Sequence, residues 1–224
     1  MQKETAPQFT VAKSLKPSGQ DDVKYVRFEC RSITPLFMDP MTPPVVFSTL
    51  VQGKRPPADK TTPLRERCEE KLYRSADGDV GLPAEVLFAC LEAGSRSIKV
   101  GRKALGTKES SELGSILKIL DPFVAFPEDS REWVEDCRRG MGKTGIANGI
   151  CRPRFDTWRF TFTVEANLGQ IDGLQLQHIV DLVDRAGRQK GVGAFRKRYG
   201  RFMVAKAELL EVAKEQTLEG NGEA

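Results

Sequence analysis

The stretch DTWRFTFTVEA (156–166) contains the clearest strand pattern in this 224-residue chain. Trp158, Phe160, Phe162 and Val164 alternate with polar residues, and a period of two is typical of a strand with one buried face. The next stretch, IDGLQLQHIVDLVDRAG (171–187), spaces its apolar residues as a helix does, and Gly187 predicts the helix end. The region therefore predicts a strand followed by a helix.

Further elements can be predicted on both sides of this pair. KYVRFECRSITPLF (24–37) predicts a strand ended by Pro35, and LPAEVLFACLEAGSRSIKV (82–100) has the clearest helix pattern, with Pro83 in its first turn. ILKIL (116–120) and FVAF (123–126) predict short strands, and RFMVAKAELL (201–210) predicts a last strand. The resulting order is close to the β-α-β-β-α-β order of the ferredoxin-like fold. We therefore predict an α+β, ferredoxin-like (RRM-type) core with an antiparallel sheet and two main helices.

Proline is concentrated between the first strand and the first long helix. Seven of the 13 prolines fall between Pro35 and Pro63, on either side of VVFSTLV (45–51), which predicts a short strand or hairpin. We interpret residues from about 36 to 80 as a proline-rich insertion that projects from the core. The predicted organisation is a flexible arm (1–22), one domain (23–207) and an acidic tail (208–224).

Composition limits the possible classes of protein. The formal net charge is only +4, so a polyanion site requires local clustering of cations. The five cysteines include no C-x-x-C pair, which argues against a disulfide scaffold and a zinc site and predicts reduced thiols. No apolar run is long enough for a signal peptide or a membrane span. We therefore expect a cytoplasmic protein without a cofactor or a metal.

The cations cluster most strongly at GVGAFRKRYGRF (191–202), which contains no acidic residue. Gly191 and Gly193 permit positive φ, so successive N–H groups could turn toward phosphate oxygens. The cationic side chains would contact phosphates, and Phe195 and Tyr199 could stack on bases. The alternative interpretation is a helix-to-strand turn with a buried Phe195 and solvated cations.

A second basic segment, CRRGMGKTG (137–145), resembles a phosphate-binding P-loop only superficially. The P-loop requires a glycine where this chain has Cys137, so we do not expect ATP hydrolysis. A hairpin that contacts phosphates and a plain solvated loop both remain open. A third set of cations lies at the end of the first long helix and in the loop beyond it. The candidate RNA-binding residues are Arg96, Lys99, Arg102, Lys103, Arg138, Arg139, Lys143, Arg152, Arg154, Arg188, Lys190, Gly191, Gly193, Phe195, Arg196, Lys197, Arg198, Tyr199 and Arg201.

No candidate catalytic residue stands out. His178 is the only histidine, and we interpret it as a helix-face residue. Asp181 and Asp184 have no third ligand at a fitting spacing, so we interpret them as surface charges or as partners of Arg185 and Arg188. Trp133 and Trp158 are predicted to be core residues.

The order of elements, the GVG motif with its basic stretch and the Gly200-Arg201-Phe202 ending together resemble the RAMP superfamily, the RNA-binding proteins of CRISPR effector complexes. The proline-rich insertion is similar to the thumb-like insertion of backbone subunits that polymerise along a guide RNA. The chain also resembles small proteins encoded by phages and prophages. One departure is that Gly200 lies seven residues after Gly193, where the family pattern has five.

The resemblance implies a ferredoxin-like core, guide-strand binding across subunits and, in most members, no chemistry. In some backbone subunits the insertion carries a cleaving aspartate, a role that Asp39 or Asp59 would fill here. The leading hypothesis is a non-enzymatic backbone subunit that oligomerises along a guide RNA and selects a complementary DNA or RNA target by base pairing. The alternative hypothesis is a phage single-stranded DNA-binding or annealing protein.

Overall fold

The computed structural model describes residues 22–41, 43–53, 61–107, 110–141, 147–196 and 198–211. The predicted arm (1–22) lies outside these ranges except for its last residue, and the predicted tail does so from residue 212. No helix within these segments is long and apolar enough to cross a bilayer.

The described residues form strands and helices with the following bounds. In chain order they are β1 (Val23–Ser32), β2 (Leu36–Phe37), α1 (Pro43–Val46), a π-helical turn (Phe47–Val51), α2 (Leu64–Glu69), β3 (Gly81–Pro83), α3 (Ala84–Ser95), β4 (Lys99–Val100), β5 (Lys103–Ala104), α4 (Leu113–Ile116), β6 (Leu117–Ile119), β7 (Phe123–Ala125), a 3₁₀ turn (Glu128–Ser130), β8 (Val134–Met141), β9 (Ala147–Phe155), β10 (Arg159–Asn167), a second 3₁₀ turn (Leu168–Gln170), α5 (Leu176–Gln189) and β11 (Phe202–Leu210).

The main sheet contains four strands in the order β11-β1-β10-β6, and every neighbouring pair is antiparallel. The alternation seen in the sequence places Phe28 opposite Phe162, and their rings stack with centroids 5.4 Å apart. Phe160 also stacks on Trp158, and both side chains are buried. This face of the sheet therefore forms an aromatic core. β11 continues to Leu210, so the first three residues of the predicted tail (208–210) belong to the sheet.

Helices α3 and α5 pack against each other and contribute to the same core. Gly94 allows this close approach, since a Cβ there would lie 2.5 Å from the Cβ of Ala186. The prediction that Gly187 ends the second helix is wrong, because α5 continues to Gln189 and Gly187 is buried within it. A Cβ at Gly187 would lie 2.5 Å from the ring of Phe202, so close packing explains this glycine.

The other end of α5 explains the single histidine. His178 lies in the first turn, and its Nδ1 accepts a hydrogen bond from the backbone N–H of Gln175 at 3.0 Å. The side chain of Gln175 in turn accepts a hydrogen bond from the backbone N–H of His178. This pair of hydrogen bonds is a capping box, which satisfies two backbone amides that the helix leaves without partners.

The proline-rich insertion differs from its prediction in two ways. VVFSTLV (45–51) is helical, because α1 and the π-helical turn cover it, so the predicted strand is wrong. The insertion also does not simply project from the core. Leu36, Met38 and Leu72, which lie near its two ends, are buried in the main core. The apolar residues at both ends therefore belong to the domain.

A second sheet contains the strands β2-β9-β8, and β8 and β9 form a hairpin. Of the two interpretations left open for this basic segment, the hairpin is the one that the structure shows. Residues 142–146 lie outside the described ranges. Trp158 donates its indole N–H to the carbonyl of Thr34 at 2.9 Å. Trp133 is half-buried, and the guanidinium of Arg65 lies 3.5 Å from its ring centroid.

The prediction that all five cysteines are reduced is wrong for one pair. Cys137 and Cys151 face each other across the hairpin and form a disulfide, with Cα atoms 4.1 Å apart. Sequence spacing does not reveal strand register, which is what places these two residues opposite each other. The other three cysteines, Cys30, Cys68 and Cys90, are free and buried.

Candidate nucleic-acid interface

The loop between α5 and β11 owes its shape to three glycines with positive φ. The φ values are 70° at Gly191, 75° at Gly193 and 69° at Gly200. Residues with a Cβ rarely adopt this left-handed region. The same glycines also pack tightly, since a Cβ at Gly200 would lie 1.8 Å from the carbonyl oxygen of Val192. Hereafter, residues 191–201 are called the glycine loop.

Most backbone N–H groups of the glycine loop donate hydrogen bonds within the protein. Val192 N–H donates to the Gly200 carbonyl at 2.9 Å, and Gly200 N–H donates to the Pro35 carbonyl at 2.8 Å. Ala194 N–H donates to the Phe37 carbonyl at 2.7 Å. The prediction that successive loop amides turn toward phosphate is therefore wrong for these positions. The first of these hydrogen bonds closes the loop on itself, and the other two fix it against residues 35–37. Side chains must therefore provide most of any phosphate contact.

Phe195 is the most unusual residue of the loop. It is the only non-glycine residue with positive φ, 56°, in the described part of the chain. Such a backbone conformation persists only where surrounding contacts impose it, and it is frequent at functional sites. The Phe195 ring meets the edge of Phe37 at 5.7 Å, yet 41% of the residue remains exposed.

The glycine loop and the β8–β9 hairpin meet around Phe37. Arg138 donates from Nη1 to the Tyr199 hydroxyl at 2.8 Å, and its guanidinium lies 4.8 Å from the Phe37 ring centroid. The guanidinium of Arg152 lies 4.3 Å from the ring centroid of Phe195. The structure thus joins two basic segments that are separate in the sequence. We call Phe37, Arg138, Arg152, Phe195 and Tyr199 the Phe37 cluster.

Acidic side chains neutralise part of this cluster. Asp136, whose side chain is only 8% exposed, accepts hydrogen bonds from Arg138 and, at 2.6 Å, from Arg154. The hydrogen bonds from Arg138, with a further contribution from Arg154, lower the pKa of Asp136 below its ordinary value. Arg154 also pairs with the exposed Asp156 at 2.8 Å. Asp136 therefore fixes the two arginines in place.

Replacing Asp136 by Asn should lower the free energy of unfolding by about 1.5–3 kcal/mol at pH 7, because two charge-assisted hydrogen bonds disappear. Since the folded-state pKa of Asp136 lies below the unfolded value, its stabilising contribution is full above about pH 4 and is lost as the pH falls further. Denaturant titrations at pH 7 and pH 3 should show the difference between the two proteins shrinking. Asp156→Asn, at an exposed position, is the control and should cost under about 1 kcal/mol. Equal destabilisation by both variants would contradict the prediction.

Asp39 holds a second set of ion pairs. It contacts Lys71 at 3.2 Å and Arg152 at 2.5 Å. Asp39 is one of the two aspartates that the resemblance suggested as a cleaving group, and in the structure it is held in these ion pairs. Asp59 lies outside the described residues. Arg152 keeps its Nε and Nη1 buried without a hydrogen-bond partner in the described structure. No group of three or more His, Cys, Asp or Glu side chains in the described ranges is arranged to hold a metal ion.

The remaining predicted cations in and near the glycine loop and the β8–β9 hairpin differ in exposure. Arg196 and Arg198 are exposed and have no acidic partner among the described residues. Arg188 pairs with Asp184 at 2.6 Å, whereas Lys190 and Arg201 are half-buried. Lys143 and Lys197, together with the side chain of Arg139, lie outside the description. Arg196 and Arg198 are therefore the described loop cations best placed to meet a polyanion.

The third predicted set of cations lies elsewhere. Arg96, Lys99, Arg102 and Lys103 are exposed at the end of α3 and on the β4–β5 hairpin. Val100 of this hairpin approaches Gly173, which precedes α5, whereas the glycine loop follows α5. A 14-residue helix is about 21 Å long, so Arg102 and Lys103 lie toward the end of α5 that is far from the glycine loop. Arg96 lies nearer to that loop, because the carbonyl of the adjacent Ser97 accepts a hydrogen bond from Arg185 in the second half of α5.

The face of the main sheet opposite the core is charged. Across the described strands it carries acidic and basic residues in alternation, and Lys206 pairs with Glu208 at 2.5 Å. Among the described residues of this face, the aromatic one is Tyr25, and the Tyr25 hydroxyl donates to Glu165 at 3.2 Å. RNA-recognition modules stack bases on aromatic side chains of their sheet, and the described face has no such platform. Binding in that manner is not supported.

Sequence reasoning missed Phe37, Lys71 and Asp136 as parts of this site, and it named Asp39 only for a different role. Phe37 lies in a two-residue strand between prolines, and no spacing rule connects it to the glycine loop. Asp136 belongs to an acidic stretch that directly precedes the basic segment. An acid two residues before Arg138 on a strand places both side chains on one face, which is the signal that could have identified it.

No family model and no curated protein matches the sequence. Among solved structures, the fold is similar to a chain in the "Cryo-EM structure of the Type III-B Cmr-beta bound to cognate target RNA", with 14% sequence identity and a TM-score of 0.49. The likeness covers 87% of this chain and 63% of that chain, so this chain spans less than two thirds of its length. A likeness at this level does not establish a family, and the functional argument therefore rests on the geometry of the site.

Proposed function

We propose that the main sheet and its two helices form a ferredoxin-like core. The elements β1, α3, β6, β10, α5 and β11 follow the order strand, helix, strand, strand, helix, strand. If the four strands are numbered by their order along the chain, their order across the sheet is fourth, first, third, second. The second sheet and the proline-rich insertion are then additions to this core.

We infer that the protein is a non-enzymatic RNA-binding backbone subunit of an RNA-guided, CRISPR-like complex from a phage or mobile element. The observation that carries this proposal is the meeting of the basic β8–β9 hairpin with the basic, aromatic glycine loop at the Phe37 cluster, beside the exposed Arg196 and Arg198. In this proposal Arg196 and Arg198 contact phosphates. The exposed Phe195 offers one base a stacking surface, backed by the Arg152 guanidinium.

Assembly along the RNA is the second part of the proposal. The π-helical turn exposes Phe47, Leu50 and Val51, which would be costly to leave in water together. We assign this apolar surface to contact with a neighbouring copy. Copies bound side by side would present the guide to a complementary target, which base pairing and not protein side chains would then select.

The test is to purify the protein under mild salt and to sequence the nucleic acid that accompanies it. A defined small RNA is the expected result, and electron microscopy of the same sample should show a multi-subunit particle. Arg196→Ala/Arg198→Ala serves as the matched control and should lose most of the RNA. Mixed single-stranded DNA would instead support the DNA-binding or annealing alternative, and the absence of nucleic acid would contradict both functions.

A further inference from the structure

Three cysteine sulfurs meet on the face of the β8–β9 hairpin that lies against α2. Cys151 is bonded to Cys137, and the free Cys68 of α2 places its Sγ 3.1 Å from the Cys151 Sγ. Two sulfur atoms without a bond between them normally remain farther apart than this. Cys151 is thus the shared member of one disulfide and one close thiol contact.

The three residues differ in access to solvent. Cys68 and Cys151 are buried, whereas Cys137 is exposed. Lys71 fixes α2 on the hairpin by donating from Nζ to the Cys151 carbonyl at 2.9 Å. The contact between Cys68 and Cys151 therefore belongs to a packed interface and does not depend on a chance approach of exposed side chains.

We propose that Cys68, Cys137 and Cys151 form a thiol–disulfide exchange site whose product is a reactive, exposed thiol at Cys137. The Cys68 thiol gives its proton to solvent, and the resulting thiolate attacks the Cys151 sulfur. A Cys68–Cys151 bond forms as the Cys137–Cys151 bond breaks, and Cys137 leaves as a thiolate that takes up a proton. The number of disulfides is unchanged, so no oxidant or reductant is needed.

Exchange changes what the disulfide connects. The Cys137–Cys151 bond links two strands of one hairpin, whereas a Cys68–Cys151 bond would link α2 to β9 across 83 residues of sequence. Cys137 would become the one exposed free thiol among the five cysteines, since the other free cysteines are buried. It is then the position at which a small thiol or an electrophile would modify the protein. This inference does not depend on the proposed function.

The surroundings of Cys68 set the rate of exchange. Burial and the nearby Glu135 of β8 raise the pKa of the Cys68 thiol, while Lys71, Arg65 and Arg67 oppose that rise. Because only the thiolate attacks, we expect slow exchange at pH 7 that becomes faster as the pH rises toward the raised pKa.

The test measures the labelling of Cys137 by N-ethylmaleimide in the full chain without reductant. The reagent traps Cys137 as exchange releases it, and acid quenching followed by peptide mapping identifies the linkage. Trypsin separates the three cysteines, since Arg67, Lys71, Arg138 and Lys143 lie between them. We expect labelled Cys137 together with a Cys68–Cys151 linkage, and labelling at least tenfold slower in Cys68→Ser. Cys90→Ser is the matched control and should label at the wild-type rate.

A second variant covers the case in which Cys68→Ser fails to fold. Cys137→Ser changes only the exposed partner, and with oxidised glutathione as oxidant it should form the Cys68–Cys151 linkage. The proposal is overturned if neither the wild-type protein nor Cys137→Ser yields a peptide with this linkage. It is equally overturned if Cys137 labels at the same rate with and without Cys68.

Discussion

Arg196→Ala/Arg198→Ala is expected to weaken the binding of single-stranded RNA by at least about tenfold at physiological salt. Both side chains are exposed on the glycine loop without an acidic partner in the described structure, so their truncation removes phosphate contacts and little else. Removing one phosphate contact should also reduce the slope of log affinity against log salt by about 0.7, so the double variant should show a decrease of about 1.4. Fluorescence anisotropy with a labelled RNA at several salt concentrations measures both quantities.

The matched control for this variant is Arg102→Ala/Lys103→Ala. It removes the same charge from exposed positions on the β4–β5 hairpin, toward the opposite end of α5. If only the glycine loop binds RNA, the control should retain its affinity within about twofold. Equal weakening by both variants would point to a diffuse charge effect. No effect of the loop variant would remove the glycine loop from the mechanism.

Gly200→Ala is expected to lower the free energy of unfolding by at least about 3 kcal/mol. The new Cβ would lie 1.8 Å from the Val192 carbonyl oxygen, and the φ of 69° adds backbone strain of about 1–3 kcal/mol. Gly193→Ala should behave in the same way, since its Cβ would lie 2.4 Å from the Phe37 carbonyl oxygen. Equilibrium denaturation in urea measures the destabilisation.

Gly78→Ala is the control that separates the backbone strain of a positive φ from the steric clash of a new Cβ. Gly78 also has positive φ, 88°, but its Cβ would meet nothing within 4 Å, so its replacement should cost only about 1 kcal/mol. A Gly200→Ala protein as stable as Gly78→Ala would show that the loop is not fixed as described. If that stable variant bound RNA poorly, Gly200 would serve the approach of a ligand and not the packing of the loop.

The main sheet and its two helices could be predicted from the sequence because their periodicity records burial on one face. In β1 and β10, Phe28 and Phe162 lie at alternating apolar positions and meet in the core. Where tertiary packing determines the length of an element, the local sequence does not give its end. Gly187 looks like a helix stop, yet it lies within α5 because Phe202 packs directly on it.

The insertion and the hairpin show why other elements could not be predicted. The β-branched residues of VVFSTLV favour a strand only if a partner strand is available, and in the structure this stretch is helical. In the β8–β9 hairpin, charged residues obscure the alternation. Its pairing of Cys137 with Cys151 depends on a register that spacing alone does not give.

The candidate site could be predicted in its parts but not in its assembly. Basic residues around Arg138 and around Arg196 are recognisable from local composition. The contact between Arg138 and Tyr199, which are 61 residues apart, and their shared neighbour Phe37 follow only from the tertiary fold. Composition likewise gives no sign that Asp39 and Asp136 hold three of the predicted RNA-binding arginines in ion pairs.

The position of β1 in the main sheet has a consequence for biosynthesis. Both of its neighbours, β10 and β11, come late in the chain, and 170 residues separate Ser32 from Phe202. At about 5–20 residues per second, a ribosome needs roughly 10–35 s to make that length. β10 begins 127 residues after Ser32 (159 − 32), so for most of this time neither edge of β1 has a strand to pair with. The unpaired backbone groups of β1 are therefore open to other chains until β10 and then β11 are made. The four-stranded sheet closes only once translation is nearly complete.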